Sequence, residues 1–319
     1  MSEAVEAPRP RWPAQIAAWA IAAGVAFFAA RRVDFSALGS ALQGASWGFI
    51  ALAVLCNVIA NTLARVRRWQ ALLEPIPHRQ RASFLDLARL FYAATAISNL
   101  LPARAGEAVR VVELYRRRGY PVGALVATQL AEKGIEFVSL GLVCGACALP
   151  LGPWSAPLAL AGSLAGAAVA MLVALPRGAR SGAGRFGQAL RAVHAERSWV
   201  RSLLWAVLSD GTDLVLVDLC LRALDIDAPP AVWALILLSV NAAILLPSTP
   251  GQIGVLEAGA VLALTTAGVA PEPALAFALV YHSVHLVPST VLGILAISRG
   301  NLRGDTIRNA MPTPGDPSA

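Results

Sequence analysis

Between residues 14 and 297 the sequence alternates long apolar runs with short pieces rich in arginine. The runs cover 14–30, 47–63, 84–101, 121–151, 157–175, 202–221, 231–247, 253–268 and 273–297. A helix needs about 20 apolar residues to cross the hydrocarbon core of a bilayer, and most of these runs come close to that length. Only 14% of the 319 residues are charged and 57% are hydrophobic, whereas an ordinary soluble domain is about a quarter charged. These proportions exclude a water-soluble globule and describe an integral membrane protein. The formal charge of +7 is no sign of nucleic-acid binding, because the basic residues stand in short pieces between apolar runs. The first run ends in Phe28-Ala29-Ala30, as a cleaved signal would. The long, proline-containing segment before it favours a retained anchor behind an N-terminal tail of residues 1–13.

The arginines set the orientation. Five lie between 65 and 81, five between 104 and 118 and six between 177 and 201, with Arg9 and Arg11 before the first run and Arg299, Arg303 and Arg308 after the last. Positive charge collects on the cytoplasmic side of short loops, so these pieces and both termini are expected in the cytoplasm. The run at 84–101 then has cytoplasmic flanks on both sides, which a simple crossing cannot satisfy. A re-entrant hairpin satisfies it, entering through 84–101, turning at 102–106 and returning. Non-helical backbone at membrane depth is tolerated only when buried in protein or lining a wet cavity, so the turn points to a site.

A second break resembles the first. Leu100-Leu101-Pro102-Ala103-Arg104-Ala105-Gly106 and Leu245-Leu246-Pro247-Ser248-Thr249-Pro250-Gly251 both read Leu-Leu-Pro-x-x-x-Gly. Both end an apolar run and precede an acid, Glu107 or Glu257. The flanks of the second copy, near 225–230 and 270–273, are poor in basic charge and belong outside. Two hairpins dipping from opposite faces define an inverted-topology repeat, in which matching helix breaks point to a transport site near the midplane. The expected fold is therefore all-α and polytopic: an inverted-repeat helical bundle with two re-entrant hairpins. Its membrane domain spans 14–298, its repeat halves lie at about 47–175 and 202–297, and a disordered cytoplasmic tail fills 299–319.

Other signals are weak. Cys144-x-x-Cys147 has redox or metal spacing, yet lies in an apolar stretch with no neighbouring His or acid to complete a site. His282 and His285 share a helical face without a third ligand and are expected to hydrogen-bond between helices. No metal or other cofactor is called for, and the absence of a phosphate-binding P-loop argues against direct use of ATP. The abundance of Ala and Arg, with Lys133 the sole lysine, suggests a GC-rich bacterial genome and hence a bacterial cytoplasmic membrane.

Several motifs resemble one family. They are Arg67-Arg68-Trp69-x-x-Leu72-Leu73, the stretch from Asn99 through Pro102, Arg104, Gly106 and Glu107 to Arg110, Glu132-Lys133-x-x-Glu136, and Pro247-Ser-Thr-Pro250-Gly251-Gln-Ile-Gly254-Val-Leu-Glu257. They are similar to the flippase-like transmembrane domain of lysylphosphatidylglycerol synthase, over about residues 47–297. The resemblance implies movement of a phospholipid or a polyprenyl-phosphate-linked lipid across the cytoplasmic membrane, with no covalent chemistry and no aminoacyl transfer by this chain alone. It also implies partnership with the membrane, a homo-oligomer or lipid-biosynthesis enzymes. Two departures stand out. Lys133 occupies a position where the family often has arginine, and Tyr281-His282 stands where the family tends to place one.

The candidate head-group site combines both breaks. Arg104, Glu107 and Arg110 lie where a helix beginning near Gly106 would aim its free N–H groups at a phosphate. Arg104 would grip a phosphodiester bidentately, Glu107 would meet an amine, a hydroxyl or Arg110, and Asn99 would cap the arriving helix or bind the head group. Thr249, Gln252 and Glu257 form the opposing set, with Pro102, Gly106, Pro247, Pro250 and Gly251 as helix breakers. An intramembrane carboxylate usually faces a partner or a cavity, which marks Glu257. Asp210 and Asp213 share a face; with Lys133 and Glu136 they are candidates for proton coupling, or structural partners of Arg89 or Lys133. Asp218 can reach Arg222, and Asp86 can neutralise Arg89. Rival readings are an ion-coupled transporter of a soluble solute, an enzyme acting on a polyprenyl phosphate and a non-transporting accessory subunit.

Overall fold

A computed structural model describes residues 35–100, 105–148, 197–244 and 250–301. The apolar runs at 14–30 and 157–175, the N-terminal tail, residues 302–319 of the C-terminal tail, and Pro102, Arg104, Pro247 and Thr249 lie outside the described residues. Among the described residues all regular structure is helical.

A short helix α1 (Phe35–Gln43) leads into α2 (Trp47–Leu73), which contains a π turn at Asn57–Asn61. Then come α3 (Phe84–Leu100), α4 (Ala105–Arg118) and α5 (Val122–Ala148). After the undescribed stretch follow α6 (Ser198–Ala223), α7 (Pro230–Ile244), a 3-10 turn Pro250–Gln252, α8 (Val255–Thr266) and α9 (Pro271–Ala296). At 1.5 Å per residue, the 26 to 27 residues of α2, α5, α6 and α9 reach about 40 Å. The 17, 14, 15 and 12 residues of α3, α4, α7 and α8 reach only about 18–26 Å, less than the ~30 Å hydrocarbon core. Two stretches, Trp47–Leu73 and Pro271–Arg299, are both long and apolar enough to cross a membrane unaided.

The packed pairs follow a rule. α3 lies on α9 and α4, α7 lies on α5 and α8, α2 lies along α6, and α5 also packs on α6. Exchanging α2 with α6, α3 with α7, α4 with α8 and α5 with α9 maps the set of packed pairs among these eight helices onto itself. Glycines allow the closest approaches. A Cβ at Gly106 would overlap the Ala94 carbonyl of α3, and one at Gly293 would overlap the Tyr92 carbonyl and the Ala96 side chain. At Gly259 it would stand 2.8 Å from the Ser239 carbonyl oxygen of α7.

Apolar side chains cover the outside. Leu52, Leu55, Ile59 and Leu63 form an exposed stripe on α2, and Val287, Val291, Ile294 and Leu295 form another on α9. Charged and polar groups lie within: Asn61, Arg68, Glu132, Asp210 and Asp213 are all buried. One end gathers arginines, because Arg118 at the close of α4 pairs with Asp86 at 2.8 Å and its carbonyl receives the Arg79 and Gln80 N–H groups. Arg81 and Arg201 meet there on Glu74, at 2.7 and 2.6 Å. At the opposite end the close of α6 meets the start of α2 through Ser46 N–H to Ala223 O at 2.7 Å.

Two sequence expectations change. Asp86 takes Arg118 rather than Arg89, because its carboxylate also caps α3 through the Ser83 N–H and hydroxyl and so faces the helix end. The helix α2 runs ten residues past the apolar run at 47–63, carrying Arg65 and Arg68 into the interior instead of a loop.

Gly293→Val is expected to lower stability by about 1–3 kcal/mol through overpacking against α3. Gly211→Ala, where nothing lies within 4 Å of the added carbon, should leave stability unchanged or raise it by up to about 1 kcal/mol. Thermal unfolding of the two variants in detergent compares them directly.

Candidate functional site

A charged network fills the space between α2, α4, α5 and α6. Glu132, on α5, holds two guanidiniums: Arg68 Nη2 donates to Oε1 at 3.0 Å and Arg110 Nη2 to Oε2 at 2.9 Å. One helical turn on, Glu136 accepts from Lys133 at 3.0 Å and lies 3.8 Å from Arg68. The spacing Glu132-Lys133-x-x-Glu136 sets both acids on one face of α5, since residues three and four apart are neighbours. Arg110 also lies flat over the Trp69 ring, 3.8 Å from its centre, a cation–π contact that reinforces α4 on α2.

The network continues across the π turn of α2. Asp213 accepts from Arg65 Nη2 at 3.0 Å and from Asn61 Nδ2 at 2.5 Å, and Asn61 in turn accepts from Arg65 Nε at 2.5 Å. Such single-turn π insertions re-aim side chains and often occur at functional sites. Asp210, one turn earlier on α6, accepts a hydrogen bond from Ser139 Oγ of α5 at 2.5 Å. The two aspartates therefore meet Arg65 and Ser139, not Arg89 or Lys133, because α6 packs along α2 and α5 while Lys133 is committed to Glu136.

Several donors in this interior are left over. Arg68 Nε and Nη1, Arg110 Nε and Trp69 Nε1 are buried without a hydrogen-bond partner among the described residues. The Arg68 side chain is 4% exposed. Leaving a polar group buried and unsatisfied costs about 1–3 kcal/mol, so acceptor atoms placed beside these donors would stabilise the cluster.

A second constellation sits at the break before α8. Gly251, Gln252 and Gly254 have φ of 68°, 60° and 87°, left-handed values that glycine adopts freely and glutamine at some strain. His282 of α9 bridges this break. Its Nδ1 lies 2.6 Å from Glu257 Oε1 and its Nε2 lies 2.9 Å from the Gly251 carbonyl oxygen. Both facing atoms are acceptors, so each ring nitrogen that carries a hydrogen has a partner. Glu257 Oε2 accepts the Gly254 N–H at 2.7 Å and caps α8. Asn99, at the close of α3, donates to Thr290 Oγ1 at 2.9 Å and Ser289 Oγ at 3.3 Å. Its carbonyl oxygen would stand 3.5 Å from a Cβ at Gly251, so the end of α3 touches the second break.

The residues singled out in the sequence thus divide. Arg110, Lys133, Glu136, Asp210 and Asp213 join the charged network, whereas Asn99, Gly251, Gln252 and Glu257 belong to the second break. Glu107 contributes its carbonyl, which accepts from Gln129 Nε2 at 3.0 Å, and Gly106 N–H donates to Ser98 Oγ at 3.1 Å. Sequence reasoning missed Asn61, Arg65 and Ser139 and gave no role to Arg68 or Glu132, whereas the hydrogen bond between helices expected of His282 is the one it makes to Glu257. The resemblance motifs around Arg68 and Glu132 were the available signal for those two.

An apolar exterior around a paired ionic interior defines a helical membrane protein. The chain belongs to the lysylphosphatidylglycerol synthase transmembrane-region family, whose model matches residues 15–293. It is also similar to a protein named glycosyltransferase AglD from Haloferax volcanii, at 26% identity over 82% of this chain and 50% of the relative. The chain spans about half the length of that curated relative.

Glu132→Ala should cost about 3–5 kcal/mol, because two buried guanidiniums lose their shared acceptor. Lys133, 41% exposed, contributes to a weaker pair, so Lys133→Ala should cost less than about 1 kcal/mol. Chemical unfolding in mixed micelles measures the difference.

Proposed function

We propose that this protein moves an anionic, phosphate-bearing lipid or lipid-linked head group across the cytoplasmic membrane of a bacterium, without covalent chemistry. The observation that carries this reading is the set of buried, unfilled N–H groups on Arg68, Arg110 and Trp69. Guanidinium groups match phosphate oxygens bidentately, and an incoming phosphodiester would supply the missing acceptors. Membership of a family named for a phospholipid synthase supports a lipid cargo. The named glycosyltransferase relative adds sugar-bearing lipids to the cargoes to be compared.

Several features support an inverted repeat with two re-entrant hairpins. Each half runs long, short, short, long, and the packed pairs survive exchange of the halves. The start of α3 and the close of α4 share the arginine-rich end, as expected of a hairpin that returns to the side it entered. The short helices then bring their broken ends together inside the protein, as Asn99 and Gly251 do. On this reading the head group passes through the polar interior while its tails stay in lipid along the exposed stripes of α2 and α9. Both termini lie in the cytoplasm with the arginine-rich end, following the positive-inside rule.

The test is movement of fluorescent lipids in liposomes holding the purified protein. Phosphatidylglycerol, an aminoacylated form and a polyprenyl phosphate would be compared. Wild type is expected to move at least one of them, with Arg68→Gln and Arg110→Gln each slowing it at least about tenfold, the size of one lost charge-assisted bond. Retained folding of the variants would be verified by thermal unfolding. Undiminished movement in both variants refutes the site, and no movement of any lipid by folded wild type refutes the function.

A further inference from the structure

The network beside Asp210 comprises four cations, buried Arg68 and largely buried Arg110 with part-exposed Arg65 and Lys133, and three acids paired with them, Glu132, Glu136 and Asp213. Asp210 is the fourth acid, and it differs from the others. It is buried, yet among the described residues its carboxylate meets one neutral hydroxyl and no cation. Ser139 of α5 touches it, and within electrostatic range are Arg65 and Arg68 from α2, Glu136 and Cys144 from α5, Asp213 from its own helix, and Tyr281 from α9. His285 of α9 is within electrostatic range of Asp213 and Arg65. Helix α7 offers no titratable side chain.

An ionised carboxylate buried beside other carboxylates, with only a hydroxyl for partner, is strongly disfavoured relative to the neutral acid. The acid form keeps the Ser139 contact, since a hydroxyl can either donate to the carboxyl oxygen or accept its O–H. The charge of the network then depends on this single proton. With Asp210 protonated, four cations face three carboxylates and one positive charge is left over, beside unfilled N–H groups on Arg68 and Arg110. With Asp210 ionised the network is neutral.

We infer that Asp210 is a proton-binding site whose occupancy sets the charge of the Arg68–Arg110 network, so that proton binding and anion binding favour each other. The inference rests on the reading of that network as a phosphate-binding site. Linkage makes the effect reciprocal: the anion draws a proton onto Asp210, and protonation tightens the anion. In a transporter that visits both faces, a proton gradient would then drive the anion in the same direction as the proton. The proton adds to the Asp210 carboxylate on loading and leaves to water on release, and no covalent bond of the cargo changes.

Infrared difference spectroscopy of the purified, lipid-depleted protein tests this, because a protonated carboxyl has a carbonyl stretch that ionised carboxylates lack. Wild type is expected to show such a band that titrates away as pH rises. Asp210→Asn should remove it, and Ser139→Ala should shift it to higher wavenumber by deleting the hydrogen bond. If Asp210→Asn does not fold, the Ser139→Ala shift alone assigns the band. Short-chain phosphatidylglycerol and inorganic phosphate are then added separately. Each is expected to move the midpoint of the titration up by about one pH unit, equivalent to about tenfold tighter anion binding to the protonated form. No band, or a band untouched by both variants, overturns the proton site. A midpoint unmoved by either anion overturns the linkage. A shift with phosphate but none with the lipid keeps the linkage and refutes the lipid head group as the cargo.

Discussion

Glu132 holds guanidiniums from two other helices, Arg68 of α2 and Arg110 of α4, and the arrangement of the first half depends on that carboxylate. In an interior that excludes water, a guanidinium cannot be left without a counter-charge. α2, α4 and α5 must therefore be brought to hydrogen-bonding distance together, and apolar packing alone does not specify this. The membrane makes the constraint stricter, since leucine against leucine is no better than leucine against lipid. Close glycine contacts at Gly106 and Gly293 bring backbones together, while the ion pairs fix which faces meet. The same logic governs Asp213, whose two oxygens engage Asn61 and Arg65 and so lock α6 to the π turn of α2.

The sequence revealed the helices better than the site. Apolar runs at 84–101, 231–247, 253–268 and 273–297 lie within a few residues of α3, α7, α8 and α9, because hydropathy records directly what faces lipid. The same measure failed at α2, where Arg65, Arg67 and Arg68 look like a loop. Only Arg67 is exposed; Arg65 and Arg68 are neutralised by acids 148 and 64 positions away. Nothing local distinguishes an arginine that anchors a loop from one that is buried by a distant carboxylate. Arg110 and Glu257 could be singled out because each follows a helix break. Asn61 and Ser139 could not, since their importance comes wholly from the helix packed opposite them.

The charged network and the second break differ in electrostatics. At the second, His282 and Glu257 bond to each other and spend their remaining hydrogen bonds on the Gly251 carbonyl and the Gly254 N–H. Such a unit has little capacity left for a charged ligand; it holds a strained turn, in which Gln252 occupies a left-handed conformation. The network beside α4 is the reverse, with several buried donors left unpaired among the described residues. This division also accounts for His282 standing where the resemblance leads one to expect an arginine. A histidine can donate to a carboxylate and a carbonyl at once from two ring nitrogens, and its reach suits a brace within one hairpin.

On the proposed transport reading, that asymmetry has a mechanical consequence. A repeat whose halves pack alike can open to either face at similar cost, because each packed pair has a counterpart in the other half. If both breaks were cationic, an anion would be held by two sets of donors and would leave slowly to either side. With one cationic network and one brace whose polar atoms are already bonded to each other, the anion is bound by the first half alone. Movement of the second half can then change its access to water without breaking its ionic contacts. The polar side chains that hold the anion and those that hold the turn are separate, so selection could alter the cargo through the residues around Arg68 and Arg110 while leaving the hinge at Gly251 intact.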